Sequence, residues 1–351
     1  EMPRRAIRID DFPNRDVLDD ITFGLQRAAI LKAALELEIF TRIAEGRRTL
    51  SALARSGNLD ERDTRLLLNA LCYSGLLSKQ QNEYLLSPTA DAFLVKGKAT
   101  YAGESILGEF AWDARGDIAR AVKSGKPPLA NPFSDAFEPV RAGRAASYLA
   151  DWQNQLAAAN EFWEKIDFAK KSARVLAVGS ESGFLPFALA KQASGIRVTL
   201  VERAMVIAYA RQLAQVMGVA AQVNFQPSVK LDLDDVGAPF DFILFENINP
   251  YLTVEQNVGL FRKAYEALAP DGRLAVRALI ADDDARSSDV SVRGTELILN
   301  SAEGDAYAYA EYRGMLEAAA LNDVALLKDD WGLITARRAV IPATKKEKAK
   351  L

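Results

Sequence analysis

A strand, a turn, a helix and a second strand, packed into residues 174–202, set the frame for the whole chain. Arg174-Val175-Leu176-Ala177-Val178 reads as a buried strand, Gly179-Ser180-Glu181-Ser182-Gly183 as a small-residue turn, and Phe184-Leu185 as the start of a helix. About twenty residues on, Val198-Thr199-Leu200-Val201-Glu202 reads as a second buried strand ending in a carboxylate. Together they make the core of a nucleotide-binding βαβ unit. The turn is altered, however. Ser180, Glu181 and Ser182 stand where a tight cofactor turn carries glycines.

From Ala173 onward strands and helices alternate, which predicts a parallel sheet. The strands read as 174–178, 197–201, 221–226, 240–245 and 273–278, then 324–328 and 332–336 close together as a hairpin. The helices read as 184–192, 206–217, 254–268 and 311–319, and Pro270-Asp271-Gly272 reads as a turn entering the fifth strand.

The first hundred residues have a different pattern. Residues 1 to 15, with Pro3 and Pro13, read as a loose arm. From Asp16 the apolar period is helical, with Val17, Ile21, Leu25, Ala28, Ala29, Lys32, Leu35, Ile39 and Phe40 on one broad face before Glu45-Gly46 ends it. Short helices follow from Thr49 and from Arg62 to Tyr73, the latter stopped by Gly75. Two extended runs, 76–78 and 84–88, then flank the polar residues 79–83. This is a winged-helix pattern. Its second helix carries Arg62 and Arg65 but also Glu61, Asp63 and Leu66-Leu67-Leu68. A packing or dimerisation module is the expected reading, because a helix that reads DNA presents a more basic, polar face. Residues 100–170 read as helical, broken at Gly125-Lys126-Pro127-Pro128 and Asn131-Pro132. Aromatics are frequent there: Tyr101, Phe110, Trp112, Phe133, Phe137, Tyr148, Trp152, Phe162 and Trp163. They suit either ordinary packing or a pocket for a flat, greasy substrate, with Trp152 and Phe162 as candidate substrate contacts.

Composition narrows the chemistry. The chain has 351 residues, 49% of them hydrophobic, and no histidine. That removes imidazole bases, Ser-His-Asp triads and imidazole metal ligands together, and leaves Asp, Glu, Lys, Tyr, water or the substrate for proton transfer. The net charge of −3 gives no reason to expect nucleic acid or an anionic membrane as partner. No apolar run approaches a membrane span, no basic-then-apolar signal pattern opens the chain, and the single Cys72 fits a reducing compartment. The expectation is a soluble, cytoplasmic protein without a membrane partner.

The strand order, the turn, the acid at 202 and Ala269-Pro270-Asp271-Gly272-Arg273-Leu274 resemble class I S-adenosylmethionine-dependent methyltransferases. The closer resemblance is to the O-methyltransferases of secondary metabolism with an N-terminal winged-helix dimerisation domain. It rests on residues 30–40, on Leu66 to Leu71 with Gly75-Leu76-Leu77, on Tyr84 to Thr89 and on Ala310 to Leu316, and covers about residues 16–338. It implies an α/β fold, a Rossmann-like doubly wound sheet with a mainly α-helical winged-helix domain in front. The domains would be 1–100 (dimerisation), 101–170 (helical connector lining the substrate pocket), 171–340 (S-adenosylmethionine binding) and 341–351 (basic tail). It implies a homodimer, S-adenosylmethionine as cofactor and a small-molecule substrate. By position, Gly179, Ser180, Glu181 and Gly183 would approach the methionine part. Glu202 would accept both ribose hydroxyls, because a carboxylate offers two acceptors. Ser228 and Val229 would lie near adenine, and Phe245, Glu246 and Asn247 beside the methyl donor and substrate.

The sequence also departs from that family. Asn249-Pro250-Tyr251 stands where the family has its catalytic His, Arg277 where it often has an acid, and Pro227-Ser228-Val229-Lys230 where it has an acid for adenine. The candidate base is therefore Glu246, with Asn249 and Tyr251 as further catalytic or orienting candidates. Three readings remain: methyl transfer to a hydroxyl, a repurposed pocket that rearranges or cyclises its ligand, and a non-catalytic structural or regulatory dimer. Asn249-Pro250-Tyr251 also resembles part of an amine-methylating signature, although Asn-Pro is more often a turn before a helix. Asp282-Asp283-Asp284 reads as a solvated loop and not a metal site, because consecutive residues rarely converge on one ion. Glu303, Asp305 and Glu311 come from a region that supplies the family's second acid.

Overall fold

The computed structural model describes residues 15–98, 101–103, 106–107, 112–129, 134, 138–229, 233, 236–237, 239–281, 290–327 and 332–339. The N-terminal arm, Phe110, Asn131-Pro132, Phe133, Phe137, Asp282-Asp283-Asp284 and the basic tail lie outside them. The chain divides into two compact units, Glu1–Ala111 and Trp112–Leu351.

In the first unit, the long helical run read from Asp16 is two helices, α1 (Asp16–Glu36) and α2 (Ile39–Ala44). The break is at Glu38, which takes a left-handed conformation with φ 55°. That turns Ile39, Phe40 and Ile43 inward, where all three are buried. Helices α3 (Leu50–Gly57) and α4 (Glu61–Tyr73) begin where Thr49 and Asp60 accept the backbone N–H groups of Ala52 and Asp63. Gly75, at φ +71°, ends the segment. The antiparallel strands β1 (Leu77–Gln80) and β2 (Glu83–Leu86) form the wing, and α5 (Pro88–Phe93) follows, capped by Ser87. Leu53, Leu68, Leu71, Leu77 and Tyr84 complete the core. Along α1, Val17, Leu18, Ile21, Phe23 and Leu25 remain exposed. Only the C-terminal part of the face read from sequence is buried, at Leu35, Ile39 and Phe40.

The second unit opens with α6 (Trp112–Gly116), α7 (Ile118–Ser124) and the long α8 (Glu138–Ile166). Its sheet strands are β3 (Ser172–Val178), β4 (Gly195–Glu202), β5 (Val223–Pro227), β6 (Phe240–Glu246), β7 (Leu268–Arg277), β8 (Leu321–Leu327) and β9 (Leu333–Arg338). The order across the sheet is β5-β4-β3-β6-β7-β9-β8; β3 to β7 run parallel, and β9 is antiparallel to both β7 and β8. The intervening helices are α9 (Phe184–Gln192), α10 (Ala204–Val216), α11 (Val254–Ala267), α12 (Val290–Gly294), α13 (Glu296–Asn300) and α14 (Tyr309–Ala318). Two differences from the sequence reading stand out. Residues 220–222 form a single helical turn, so β5 begins at Val223. Pro270-Asp271-Gly272 does not precede its strand but bulges within it: Leu268 pairs with Phe240, Arg273 with Phe242, and Asp271 takes φ 62°.

Both faces of the sheet are covered. Val175 and Ala177 pack with Trp163, Phe187 and Leu213 on one face, and Leu176 and Val178 with Phe245, Phe261 and Leu316 on the other. Strands buried on both faces read as continuous apolar runs, which is why they were legible. Each fully buried Leu, Ile or Phe contributes about 1.5–3 kcal/mol. The strand order reverses at β3, with β4 on one side and β6 on the other. An open α/β sheet binds ligands in the crevice at the carboxyl ends of such strands.

Candidate active site

The turn after β3 holds its shape through two glycines. Gly179 takes φ +75°, and a Cβ there would meet the Ile248 side chain at 2.1 Å and the Glu246 carbonyl oxygen at 2.8 Å. Gly183 takes φ +74° and is closed in by Phe187 and Leu200. Between them Glu181 is also left-handed, at φ 43°, which costs a residue with a Cβ. Local partners hold it there. Its N–H donates to Glu202 Oε2 at 3.1 Å, and its carboxylate lies 3.5 Å from Arg144 and 3.9 Å from Arg141. The Ser182 hydroxyl accepts from the Phe184 N–H at the start of α9.

Glu202 ends β4 and is fully buried. Its Oε1 accepts the Arg203 N–H at 2.8 Å; its Oε2 accepts from Arg141 Nη2 at 2.6 Å as well as from Glu181. Burial pushes its carboxyl above the ordinary value, opposed by Arg141 and the Arg203 N–H. Ser228 donates its N–H to the Glu202 carbonyl oxygen, and Arg203 reaches the Val229 carbonyl oxygen, so the loop after β5 is tied to the end of β4.

Glu246 ends β6 on the other side of β3. It accepts from Arg277 Nη1 at 2.9 Å. The two residues are register partners on β6 and β7, so the sheet itself sets the pair. Burial pushes the Glu246 carboxyl up, while Arg277 and the Ser180 hydroxyl act in the opposite direction. The Arg277 guanidinium lies over the Phe162 ring, 5.8 Å from its centroid.

A cleft of about 360 Å³ opens here. Ser180, Glu181, Ser182, Phe184 and Leu185 form one wall, Glu246, Asn247 and Arg277 a second, and Tyr148, Gln155, Ala158, Ala159, Glu161, Phe162 and Lys165 a third. The third wall belongs to α8. Arg141, Tyr148, Gln155 and Phe162 stand seven apart on that helix and so form one stripe. Tyr148 stacks on Phe184 with ring centroids 5.6 Å apart, and burial pushes its phenol up to about 12.

Of the candidates read from sequence, the structure brings Ser180, Glu181, Phe162, Glu246 and Asn247 to the cleft. Gly179 and Gly183 shape the turn, and Glu202 lies behind it, sealed by Arg141. Others lie elsewhere. Phe245 is fully buried and packs against Phe261, with ring centroids 5.9 Å apart, because its side chain points to the opposite sheet face from the cleft. Asn249 is also fully buried; its amide donates to Asn257 Oδ1, whose own amide donates to the Asn249 and Leu252 carbonyl oxygens. That pairing locks the turn before α11 and leaves Asn249 a structural residue. Trp152 does not line the cleft; Lys191 covers its ring. Tyr251 and Ser228 lie outside the cleft wall too. Burial pushes the Tyr251 phenol up, with the charges of Arg144 and Arg141 opposing. Arg141 and Phe184 were not singled out by the sequence. Arg141 meets Glu202 from 61 positions away in the sequence, a separation that no local pattern encodes. The seven-residue spacing from Tyr148 to Phe162 was the one signal available for α8.

Among the described residues, no group of three or more Cys, Asp or Glu side chains is arranged to hold a metal ion, and no helix is long and apolar enough to cross a membrane.

Residues 20–96 match the family model of the O-methyltransferase dimerisation domain. Over 317 residues the chain is 23% identical to a 3-hydroxy-5-methyl-1-naphthoate 3-O-methyltransferase of Streptomyces sahachiroi, covering 88% of this chain and 90% of the relative. Over 327 residues it is 25% identical to the tetracenomycin polyketide synthesis 8-O-methyl transferase TcmO of Streptomyces glaucescens, covering 88% and 91%. The human N-acetylserotonin methyltransferase, solved with S-adenosylmethionine, shares the fold at a TM-score of 0.73 and 19% identity, over 95% of this chain and 100% of that one. The fold is thus that of class I methyltransferases, with an N-terminal O-methyltransferase dimerisation domain.

Proposed function

We infer that this chain is an S-adenosylmethionine-dependent O-methyltransferase acting on a hydroxyl of a small aromatic metabolite. One observation carries the reading. The cleft at the sheet's switch point adjoins a strand-end carboxylate, in a chain aligned along 88% of its length with enzymes named for O-methylation of a naphthoate and a polyketide. The donor set fits the cofactor chemically. Glu202 supplies a carboxylate at the place where a ribose diol is taken. Gly179 and Gly183 keep the turn free of Cβ atoms. Ser180 and Glu181 border the cleft, and Ser228 borders the adenine end.

When bound, the cofactor supplies an electrophilic methyl group on a sulfonium. The chain's part is to hold the hydroxyl in line and to take its proton. Glu246 is the acceptor we assign. It is the carboxylate on the cleft wall opposite the turn, and burial raises its affinity for a proton toward the working pH. Arg277 opposes that rise. Tyr148, Phe162 and Phe184 give the substrate an aromatic wall.

The exposed stripe of α1, from Val17 to Leu25, lies partly within the matched dimerisation domain and is assigned to pairing with a second copy. The winged helix then packs protein and does not bind DNA, and the enzyme works in the cytoplasm. Two measurements test the reading. S-adenosylhomocysteine should bind by calorimetry and raise the melting temperature, and labelled methyl should pass to hydroxynaphthoates or other polyketide phenols. Absence of binding defeats it. Binding with no methylated phenol turns the pocket toward rearrangement chemistry.

A further inference from the structure

We propose that Arg141 is a lock on the ribose subsite, and that cofactor binding requires its guanidinium to leave Glu202. The proposal rests on the methyltransferase reading and goes beyond it. The two oxygens of a carboxylate offer about four acceptor positions. At Glu202 three are filled: by Arg141 Nη2 at 2.6 Å, by the Glu181 N–H at 3.1 Å and by the Arg203 N–H at 2.8 Å. The Glu202 side chain has no exposed surface, and that of Arg141 is 3% exposed. A vicinal diol needs two acceptor positions, so one present donor must go. The two backbone donors belong to the turn and to the residue that follows β4, so displacing either one means moving main chain. Arg141 is the donor that can move, because it is a side chain carried by α8.

A destination is already in place. Glu181 Oε1 lies 3.9 Å from the Arg141 guanidinium and borders the cleft. Arg141 can therefore pass from one carboxylate to the other and keep a counter-charge throughout, which avoids burying a lone ion. Arg141 also begins the stripe that continues through Tyr148, Gln155 and Phe162 on the cleft wall. The lock as proposed includes the first turns of α8, which withdraw with Arg141 and reshape the substrate cleft when the cofactor arrives. The apparent affinity of the resting protein is lowered by the fraction of molecules in which Arg141 has withdrawn.

The test uses S-adenosylhomocysteine with wild type and Arg141→Gln, read by calorimetry, together with hydrogen exchange on the wild-type chain. Arg141→Gln should bind about tenfold more tightly than wild type. In wild type, the ligand should speed exchange in residues 138–148 while slowing it in 179–185. Equal or weaker binding by a folded Arg141→Gln overturns the lock and makes Arg141 a ligand contact or a bystander. Slowed or unchanged exchange in 138–148 overturns it without any variant, which decides the matter if Arg141→Gln fails to fold. If neither protein binds the ligand, the methyltransferase reading falls together with the lock; if wild type binds and the variant binds no tighter, the lock alone falls.

Discussion

Two arginine–glutamate pairs flank β3 at the carboxyl edge of the sheet, alike in composition and opposite in setting. Glu202 on β4 meets Arg141 at 2.6 Å with both side chains almost wholly buried. Glu246 on β6 meets Arg277 at 2.9 Å on the wall of the cleft, and the Arg277 side chain is 19% exposed. The first pair joins a helix to a strand, while the second joins register partners on neighbouring strands. A partner fixed by the sheet stays in place and tunes the carboxylate beside it. A partner borne on a helix can leave, and its carboxylate then becomes available to something else. Burial raises both carboxyls, so the difference between them lies in what holds the counter-charge.

Removing each acid separates the two roles. Glu202→Ala takes the main counter-charge from a buried guanidinium and should lower unfolding free energy by about 3–5 kcal/mol, read from urea melts. S-adenosylhomocysteine binding should be lost in the same variant. If it binds as before, Glu202 does not hold the ribose. Glu246→Gln should keep that binding and lower the methylation rate about 10²- to 10⁴-fold. A rate within twofold of wild type would remove Glu246 as the base.

The pH profile sharpens the second pair. A carboxyl raised by burial gives up its proton at a higher pH than an ordinary glutamate does, and a base works only when ionised. The rate should therefore rise with pH through a limb displaced upward from the ordinary glutamate value. Arg277→Gln removes a charge that holds the Glu246 carboxyl down, so the limb should move to higher pH. A limb that stays in place would mean that another group is titrating. The smallest effect is expected outside both pairs. Asn249→Ala breaks the buried amide pairing with Asn257 and should cost about 1–3 kcal/mol of stability. The folded fraction should bind S-adenosylhomocysteine normally, because Asn249 does not reach the cleft.

The sheet was legible because its physics is local. Val175 to Val178, Val198 to Val201 and Phe240 to Phe245 are apolar runs of strand length, and turns or charged residues bound them. Helix α9 was bounded to the residue, with Gly183 before it and Gln192 at its end. Glu38, by contrast, is an ordinary residue in a helical run; its left-handed turn goes with the packing of Ile39, Phe40 and Ile43 into the core and with its bond to Lys96, 58 positions away. The site was half legible. Strand ends project Ser180, Glu181, Glu202, Glu246 and Asn247 to one edge of the sheet, so their positions could be counted out from the pattern. Phe245 and Asn249 were miscounted because alternate residues of a strand face opposite ways, and a buried amide looks like a polar loop residue in sequence.

By itself the sequence determined the doubly wound sheet, its altered turn, the acids at the ends of β4 and β6, and the absence of any histidine to act as base. These follow from periodicity and composition, which act over a few residues at a time. Only the tertiary structure decided that Arg141 seals Glu202 behind the turn while Glu246, itself buried, reaches the cleft wall. That difference depends on which arginine arrives from a distant helix and which from the next strand, and separations of that kind leave no trace in local pattern.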